Sequence, residues 1–221
     1  MSARLLATFC LGIWFVSVSP AQSAGSTDPE LVVYLRAEAN QPGGPVAQMK
    51  RDFASLMRTA GYRVSWRTPE TGAGDDAAFL AVAELSGICA VPAGYAGAER
   101  PAPAGVSLAT TNVTDGQVLP FTSVNCAALT RSLAPALLKT AAAQRDFLFG
   151  RAMARVLAHE VYHMLSGSTE HARSGVARSC FSTADLLAEQ FTFETATLAR
   201  MHARPESSPA SSTAGEEASG R

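Results

Sequence analysis

The sequence predicts a single α+β domain, because strand-like and helix-like segments occupy different halves of the chain. In the N-terminal half, short runs rich in β-branched and aromatic residues flank one helical pattern, which indicates a β-α-β unit followed by further strands. In the C-terminal half, long stretches dominated by Ala, Leu, Met and Arg favour helices. Roughly 180 residues lie between two compositionally distinct ends, which is enough for one domain with a hydrophobic core.

The N-terminal half is predicted to contain three strands, one helix and a hairpin. LVVYLRA (Leu31–Ala37) forms the first strand, and apolar spacing gives a helix over Val46–Gly61 with the glycine as its stop. The alternating segment Tyr62–Arg67 forms the second strand, and the apolar run Ala78–Leu85 forms the third. The dipeptide Asp115-Gly116 then favours a hairpin between two further β-like runs.

The C-terminal half is predicted to be helical. A helix over Leu129–Leu138, interrupted at Pro135, precedes a long proline-free helix from about Lys139 to Leu165. The long helix ends near Gly167, and a further helix begins near Ser182. One face of the long helix carries an apolar stripe that is predicted to pack on the sheet. The stripe comprises Phe149, Met153, Leu157, Val161 and Met164.

Both ends of the chain are predicted to lie outside the folded domain at residues 25–202. Residues 1–24 have the layout of a secretory signal peptide, with an uncharged apolar stretch from Leu5 to Val18 and small residues after it. This stretch is too short for a bilayer core of about 30 Å. Residues 203–221 have no aromatic residue and no Leu, Ile or Val, so they are predicted to be a disordered tail. The protein is therefore expected to be secreted or periplasmic.

Net charge and cysteine content limit the partners and the cysteine chemistry that the sequence predicts. The net charge is −1 and the basic residues are scattered, so neither a nucleic-acid partner nor a membrane partner after signal cleavage is predicted. Cys89 and Cys126 each lie near the end of a predicted strand, and they can form a disulfide in an oxidising compartment. Cys180 is then left over. Three reduced, buried thiols are an equal alternative.

The segment HEVYHMLSGSTEH (His159–His171) contains three of the four histidines of the chain. His159 and His163 are one helical turn apart, so two imidazole nitrogens can reach one ion at about 2.0–2.1 Å. Glu160 lies beside them and can act as general base on a water whose pKa the metal lowers towards 7. HExxH is the zinc-hydrolase pattern with this mechanism, so Zn²⁺ is the expected cofactor and Glu160 the expected catalytic residue.

A hydrolytic zinc site usually takes three protein ligands, so a third residue has to complete this one. Gly167 can end the helix and turn the chain back, which lets His171 return to the ion. Glu189, on the following predicted helix LLAEQF, is the alternative third ligand. Asp185 is expected to be an N-terminal helix charge rather than a ligand. Tyr162 can steady an oxyanion or pack, and packing is the simpler expectation.

The segment HEVYHMLSGSTEHARSGVAR resembles a group of small bacterial secreted zincin-like, or metzincin-like, metallopeptidases whose pattern is roughly HExxHxLxGxxxHxxxGxM. The positions that match are His159, Glu160, His163, Gly167, His171 and Gly175. The resemblance implies a metzincin-like domain, in which a twisted mixed sheet packs on helices, with a long zinc-binding helix and His171 as third ligand. The methionine of the pattern falls at Ala177, and His171 comes two residues later than in the standard metzincin spacing.

Two main functional hypotheses follow. The first is a secreted zinc-dependent metalloendopeptidase that uses activated water to attack a peptide bond in a peptide or protein substrate. The substrate is expected to add to an edge strand, and the hairpin around Asp115 is a candidate for that strand. The second is an exported zinc-binding or interaction protein with a catalytically degenerate site, which Ala177 favours. A zinc hydrolase for a non-peptide amide bond is a third option.

Overall fold

The computed structural model of the chain describes residues 28–68, 77–96 and 106–203. The predicted signal peptide and all of the predicted tail beyond Ala203 lie outside these ranges. Within the described ranges, no helix combines the length and the apolar character that a membrane crossing requires.

The described strands form one five-stranded mixed sheet. They are β1 (Glu30–Ala37), β2 (Arg63–Arg67), β3 (Phe79–Ser86), β4 (Ala109–Thr114) and β5 (Gln117–Asn125). Their order in the sheet is β2-β1-β3-β5-β4, and only the edge strand β4 runs antiparallel to its neighbour. All five predicted strands are confirmed, including the hairpin, whose turn places Asp115 and Gly116 at positive φ. The prediction of a single domain that combines a mixed sheet with helices is confirmed at this level.

The described residues also form five helices, which are α1 (Gly43–Thr59), α2 (Cys126–Leu137), α3 (Ala142–Ser166), α4 (Thr183–Leu187) and α5 (Thr195–Ala203). The predicted interruption at Pro135 is wrong, because the proline lies in the last turn of α2 and the helix continues past it to Leu137. The long helix α3 starts at Ala142 rather than at Lys139. Thr140 forms a turn ahead of it, in which its backbone N–H and its hydroxyl both donate to the Leu137 carbonyl.

The end of the chain differs from prediction in two places. The predicted helix LLAEQF ends at Leu187, because the backbone at Ala188 is extended and Arg155 of α3 donates hydrogen bonds to the carbonyls of Asp185 and Ala188. Tertiary contacts therefore override local helix propensity in this segment. The short helix α5 was not predicted, and it includes Ala203, the first residue assigned to the tail.

The apolar stripe of α3 packs in the core between α1 and the inner face of the sheet. Four of its members are at most 2% exposed and Met164 is 6% exposed, so the predicted packing is confirmed. The inner face of the sheet contributes Leu31, Val33, Ala81 and Val124 to the same core. Gly150 permits close approach of α1, because a Cβ at this position would lie 2.5 Å from the Pro45 carbonyl oxygen. This packing fixes α3, and with it the segment that begins at His159.

Cys89 and Cys126 form a disulfide that joins the loop after β3 to the first residue of α2, with a Cα–Cα distance of 4.8 Å. This confirms the predicted pair and excludes the alternative of three reduced thiols. Cys180 is free and exposed.

Replacing Cys89 and Cys126 together with alanine is expected to lower the free energy of unfolding by about 3–4 kcal/mol, because the bond closes a loop that spans 37 positions. Urea denaturation at neutral pH measures this change. Cys180→Ala is the matched control and should leave the transition in place, since its side chain is exposed. An unchanged midpoint in the double variant would show that the bond contributes nothing to stability.

Candidate metal centre

The three histidines of HEVYHMLSGSTEH come together at the C-terminal end of α3. His159 and His163 project from successive turns of the helix, and their Nε2 atoms are 3.1 Å apart. His171 returns from the loop after the helix, so that one ligand atom from each ring lies within 4.8 Å of the other two. Gly167 makes this return possible. It ends the helix as predicted, with a left-handed φ of 63°, and its N–H donates to the His163 carbonyl.

Backbone carbonyls orient the two helix histidines. The Nδ1 atom of His159 lies 2.8 Å from the carbonyl oxygen of Val176, and Nδ1 of His163 lies 2.7 Å from that of Ser168. A neutral imidazole that donates through Nδ1 keeps a free lone pair on Nε2. Metal-binding histidines in proteins are commonly held in this way. The hydrogen bonds therefore direct both Nε2 lone pairs to the same place.

The lowered pKa values of His159 and His171 also favour the binding of a metal cation. Burial is the main cause that lowers the pKa of His159 to about 4, and the neighbouring His163 lowers it further. Desolvation, followed by His163, also lowers the pKa of His171. Histidine binds metals in its neutral form. These two rings therefore do not have to release a proton to bind a metal at neutral pH. Three imidazole nitrogens suit a first-row transition metal better than Mg²⁺ or Ca²⁺, which take oxygen ligands.

Glu160 lies next to this cluster and is 7% exposed. Its Oε2 atom accepts a hydrogen bond of 2.6 Å from the hydroxyl of Thr111 on the edge strand β4. Burial raises the pKa of Glu160, and the Thr111 hydrogen bond opposes that rise. Thr111 was not predicted as a site residue. The alternation along β4 puts it on the inner face together with Ala109, but its contact with α3 depends on the position of that strand at the edge of the sheet.

The turn that follows His171 helps to hold the histidine cluster. Gly175 has a left-handed φ of 68°, and a Cβ there would lie 2.7 Å from the Thr192 carbonyl oxygen. This turn presents the Val176 carbonyl to His159. Ala177 is fully buried, and its carbonyl accepts a hydrogen bond from the N–H of Ala172. The turn therefore closes the loop that carries His171.

The other candidate residues predicted from the sequence are not among the clustered ligands. Glu189 is exposed on the loop after α4, where it lines a cavity with Asp52 and Arg151, and it is not among the clustered ligands. Asp185 is confirmed as an N-terminal helix charge, because it forms a capping box with Ser182. Tyr162 is fully buried, as expected for packing.

The contact between Thr111 and Glu160 predicts a measurable effect on stability. Thr111→Val is expected to lower the free energy of unfolding of the metal-free protein by about 1.5–3 kcal/mol, because a nearly buried carboxylate loses its donor. Urea denaturation measures the change. Thr111→Ser keeps the hydroxyl and should recover most of the loss, whereas Thr110→Val makes the same substitution at an exposed neighbour on the same strand. Equal effects of the two valine variants would contradict this assignment.

The fold and the site together define a class: a mixed α/β domain with a three-histidine candidate metal centre and a nearly buried glutamate beside it. Comparisons with protein families, with curated proteins and with solved structures gave no match to this chain. A functional assignment therefore depends on the residues of the site.

Proposed function

We propose that this protein is a secreted zinc-dependent metallopeptidase with a metzincin-like catalytic domain. The observation that carries the proposal is the convergence of the His159 and His163 Nε2 atoms with the ring of His171 beside the nearly buried Glu160. Three imidazoles with room for one further ligand are a typical donor set of catalytic zinc. Zinc, when bound, supplies a Lewis acid that polarises the peptide carbonyl and lowers the pKa of water.

Glu160 would act as the general base. Its Oε2 atom is engaged by Thr111, which leaves Oε1 to take a proton from the attacking water and to deliver it to the departing amine nitrogen. Burial raises the pKa of this carboxyl above its ordinary value, in the direction that improves proton transfer near neutral pH. The hydrogen bond from Thr111 fixes the orientation of the carboxylate before the substrate binds.

The edge strand β4 supports an extended peptide as substrate. On one side β4 pairs with β5, and no strand among the described residues pairs with its other side. A peptide can add to such an edge through main-chain hydrogen bonds. Because Thr111 of the same strand contacts Glu160, a peptide along β4 would pass close to the general base. This location agrees with the hairpin around Asp115 that the sequence suggested.

The metzincin-like class is supported by the order of elements as well as by the motif. A strand-helix-strand unit precedes the long helix α3, Gly167 ends that helix, and His171 follows on the returning loop. In this proposal, the antiparallel edge strand beside the helix binds the substrate. Export is proposed from the composition of residues 1–24, which has the layout of a signal peptide.

Metal analysis combined with peptide cleavage tests the proposal. The protein, purified without added metal, should contain one zinc per chain and should cleave members of a mixed-sequence fluorogenic peptide library. A chelator should abolish cleavage and added zinc should restore it. Zinc without cleavage of any library member would favour the second hypothesis, an exported zinc-binding protein, to which Ala177 points. Absence of bound metal after exposure to zinc would contradict both.

A further inference from the structure

Tyr162 connects the metal helix to the loop that carries His171. Its side chain is fully buried, and its ring centroid lies 5.1 Å from that of His163. Its hydroxyl donates a hydrogen bond of 3.1 Å to the carbonyl oxygen of Glu170, the residue immediately before His171. The tyrosine therefore contacts the backbone of the loop at the point where the third histidine leaves it.

His171 is positioned differently from the two helix histidines. His159 and His163 are oriented through their own Nδ1 atoms, whereas the ring of His171 has no hydrogen-bond partner among the described residues. Its backbone is held on both sides instead. Tyr162 holds the Glu170 carbonyl on one side, and the N–H of Ala172 donates to the Ala177 carbonyl at 2.7 Å on the other. The His171 ring also packs against the rings of His159 and His163, with centroid distances of 5.2 and 4.8 Å, but these two backbone contacts fix the point from which the ring extends.

Arg200 of α5 holds the tyrosine in turn. It donates a hydrogen bond of 3.2 Å to the Tyr162 hydroxyl, and the same nitrogen lies 3.9 Å from the carboxylate of Glu170. The hydroxyl therefore accepts from a cation while it donates to a carbonyl, and each of these bonds strengthens the other. The Glu170 side chain is 77% exposed, so the ion pair itself contributes little. The main effect of Arg200 is to fix the Tyr162 hydroxyl.

We propose that Tyr162 is a positioning residue for the third metal ligand, and that Arg200 acts through it. Metal affinity would then depend on α5, a helix that supplies no ligand. The inference rests on the zinc site of the proposed function, but it requires binding and not turnover. Partners that hydrogen-bond a metal ligand directly change metal affinity by roughly 10–100-fold when they are removed, and the lower end of this range is expected for Tyr162, which contacts the adjoining backbone.

The test is zinc affinity, measured by competition with a chromophoric chelator at constant pH. Tyr162→Phe is expected to raise the zinc Kd about 10-fold. Thr130→Val is a control away from α5, because Thr130 is also buried and its hydroxyl also donates to a backbone carbonyl, that of Ala90. It should lower stability and leave the zinc Kd unchanged. Urea midpoints of the metal-free proteins report the purely structural cost of each substitution.

Arg200→Met provides a second variant at a side chain that is 42% exposed, so folding is preserved even if Tyr162→Phe impairs it. It should weaken zinc binding in the same direction, and Arg200→Lys should recover part of the loss. A wild-type zinc Kd in both Tyr162→Phe and Arg200→Met would overturn the inference. Weakened binding in these variants, in a protein that cleaves no peptide, would support the inference and contradict the proposed peptidase.

Discussion

Glu160→Gln is expected to abolish hydrolysis while zinc remains bound. General base catalysis contributes roughly 10²–10⁴-fold to the rate, so kcat/KM should fall by at least about 10²-fold. The glutamine amide has the size of the carboxyl and can still accept a hydrogen bond from Thr111, but it cannot take a proton from water. The three histidines are unchanged, so the zinc content should stay at the wild-type value. Cleavage of the best library peptide and metal analysis of the same sample measure both properties.

The matched control is Glu170→Gln, which makes the same chemical change at an exposed glutamate in the His171 loop. It should cleave the peptide at the wild-type rate. Full hydrolysis by Glu160→Gln would remove Glu160 from its role as base. Loss of both zinc and hydrolysis would instead indicate that Glu160 maintains the metal centre.

The stability of the metal-free protein gives a readout of Glu160 that does not depend on turnover. Burial raises the pKa of this carboxyl in the folded state above its unfolded value of about 4.3. The stabilisation linked to its protonation is therefore fully present below that unfolded pKa, and it is lost as the pH rises through the folded pKa. Glutamine does not titrate. The wild type should therefore lose stability relative to Glu160→Gln as the pH rises from about 4 to 8. A difference in the free energy of unfolding that stays constant with pH would contradict a raised pKa.

Local chemistry explains which parts of the site the sequence could predict. The spacing of His159 and His163 fixes their common face once a helix forms, and the helix follows from composition. Gly167 adopts the left-handed conformation that ends a helix, and this is a property of glycine that needs no tertiary information. The helix stop at Gly167 lets His171 return to the ion, and the pattern of the zincin-like group that the segment resembles favours His171 over Glu189. These features depend on residues that are close in sequence.

The contacts that orient the site could not be predicted in this way. Thr111 reaches Glu160 across a sequence separation of 49, and this contact exists only because β4 is the strand at that edge of the sheet. The Val176 and Ser168 carbonyls that orient the histidines are backbone groups. Every residue has such a carbonyl, so the residue types do not predict which ones accept these hydrogen bonds. Helix α5 is short and lies in the part of the chain that leads into a polar tail. Its place is set by contacts such as that between the Tyr62 hydroxyl and the Met201 carbonyl.

Contacts between distant parts of the sequence also decide the location of Glu189. Its role as a ligand required a continuous helix through LLAEQF, and local propensity favours one. Arg155 of α3 is 3% exposed, and its guanidinium donates to the carbonyls of Asp185 and Ala188. Desolvation lowers the pKa of this guanidinium to about 10. Because a buried cation has to be paired with acceptors, these carbonyls are held by Arg155 and the helix ends at Leu187.

His171→Ala is expected to have the second large effect, a loss of tight zinc binding. The variant keeps only His159 and His163, whose Nε2 atoms are both held by the helix, so one of the three ligands that a zinc site of this type needs is missing. The zinc Kd should rise by more than the roughly 10–100-fold that is typical when an outer partner is removed. Competition with a chelator measures the affinity, and metal analysis after dialysis measures the retained zinc.

Glu189→Ala is the decisive comparison, because Glu189 was the rival third ligand. It is exposed and lines the cavity with Asp52 and Arg151, so its removal should leave the zinc Kd at the wild-type value. If Glu189→Ala weakened zinc binding and His171→Ala did not, Glu189 rather than His171 would be the third ligand. The loop after α4 would then have to rearrange around the metal. Wild-type affinity in both variants would mean that neither residue completes the site. Because His171→Ala removes the ligand and Tyr162→Phe only its support, the first variant should lose more affinity than the second.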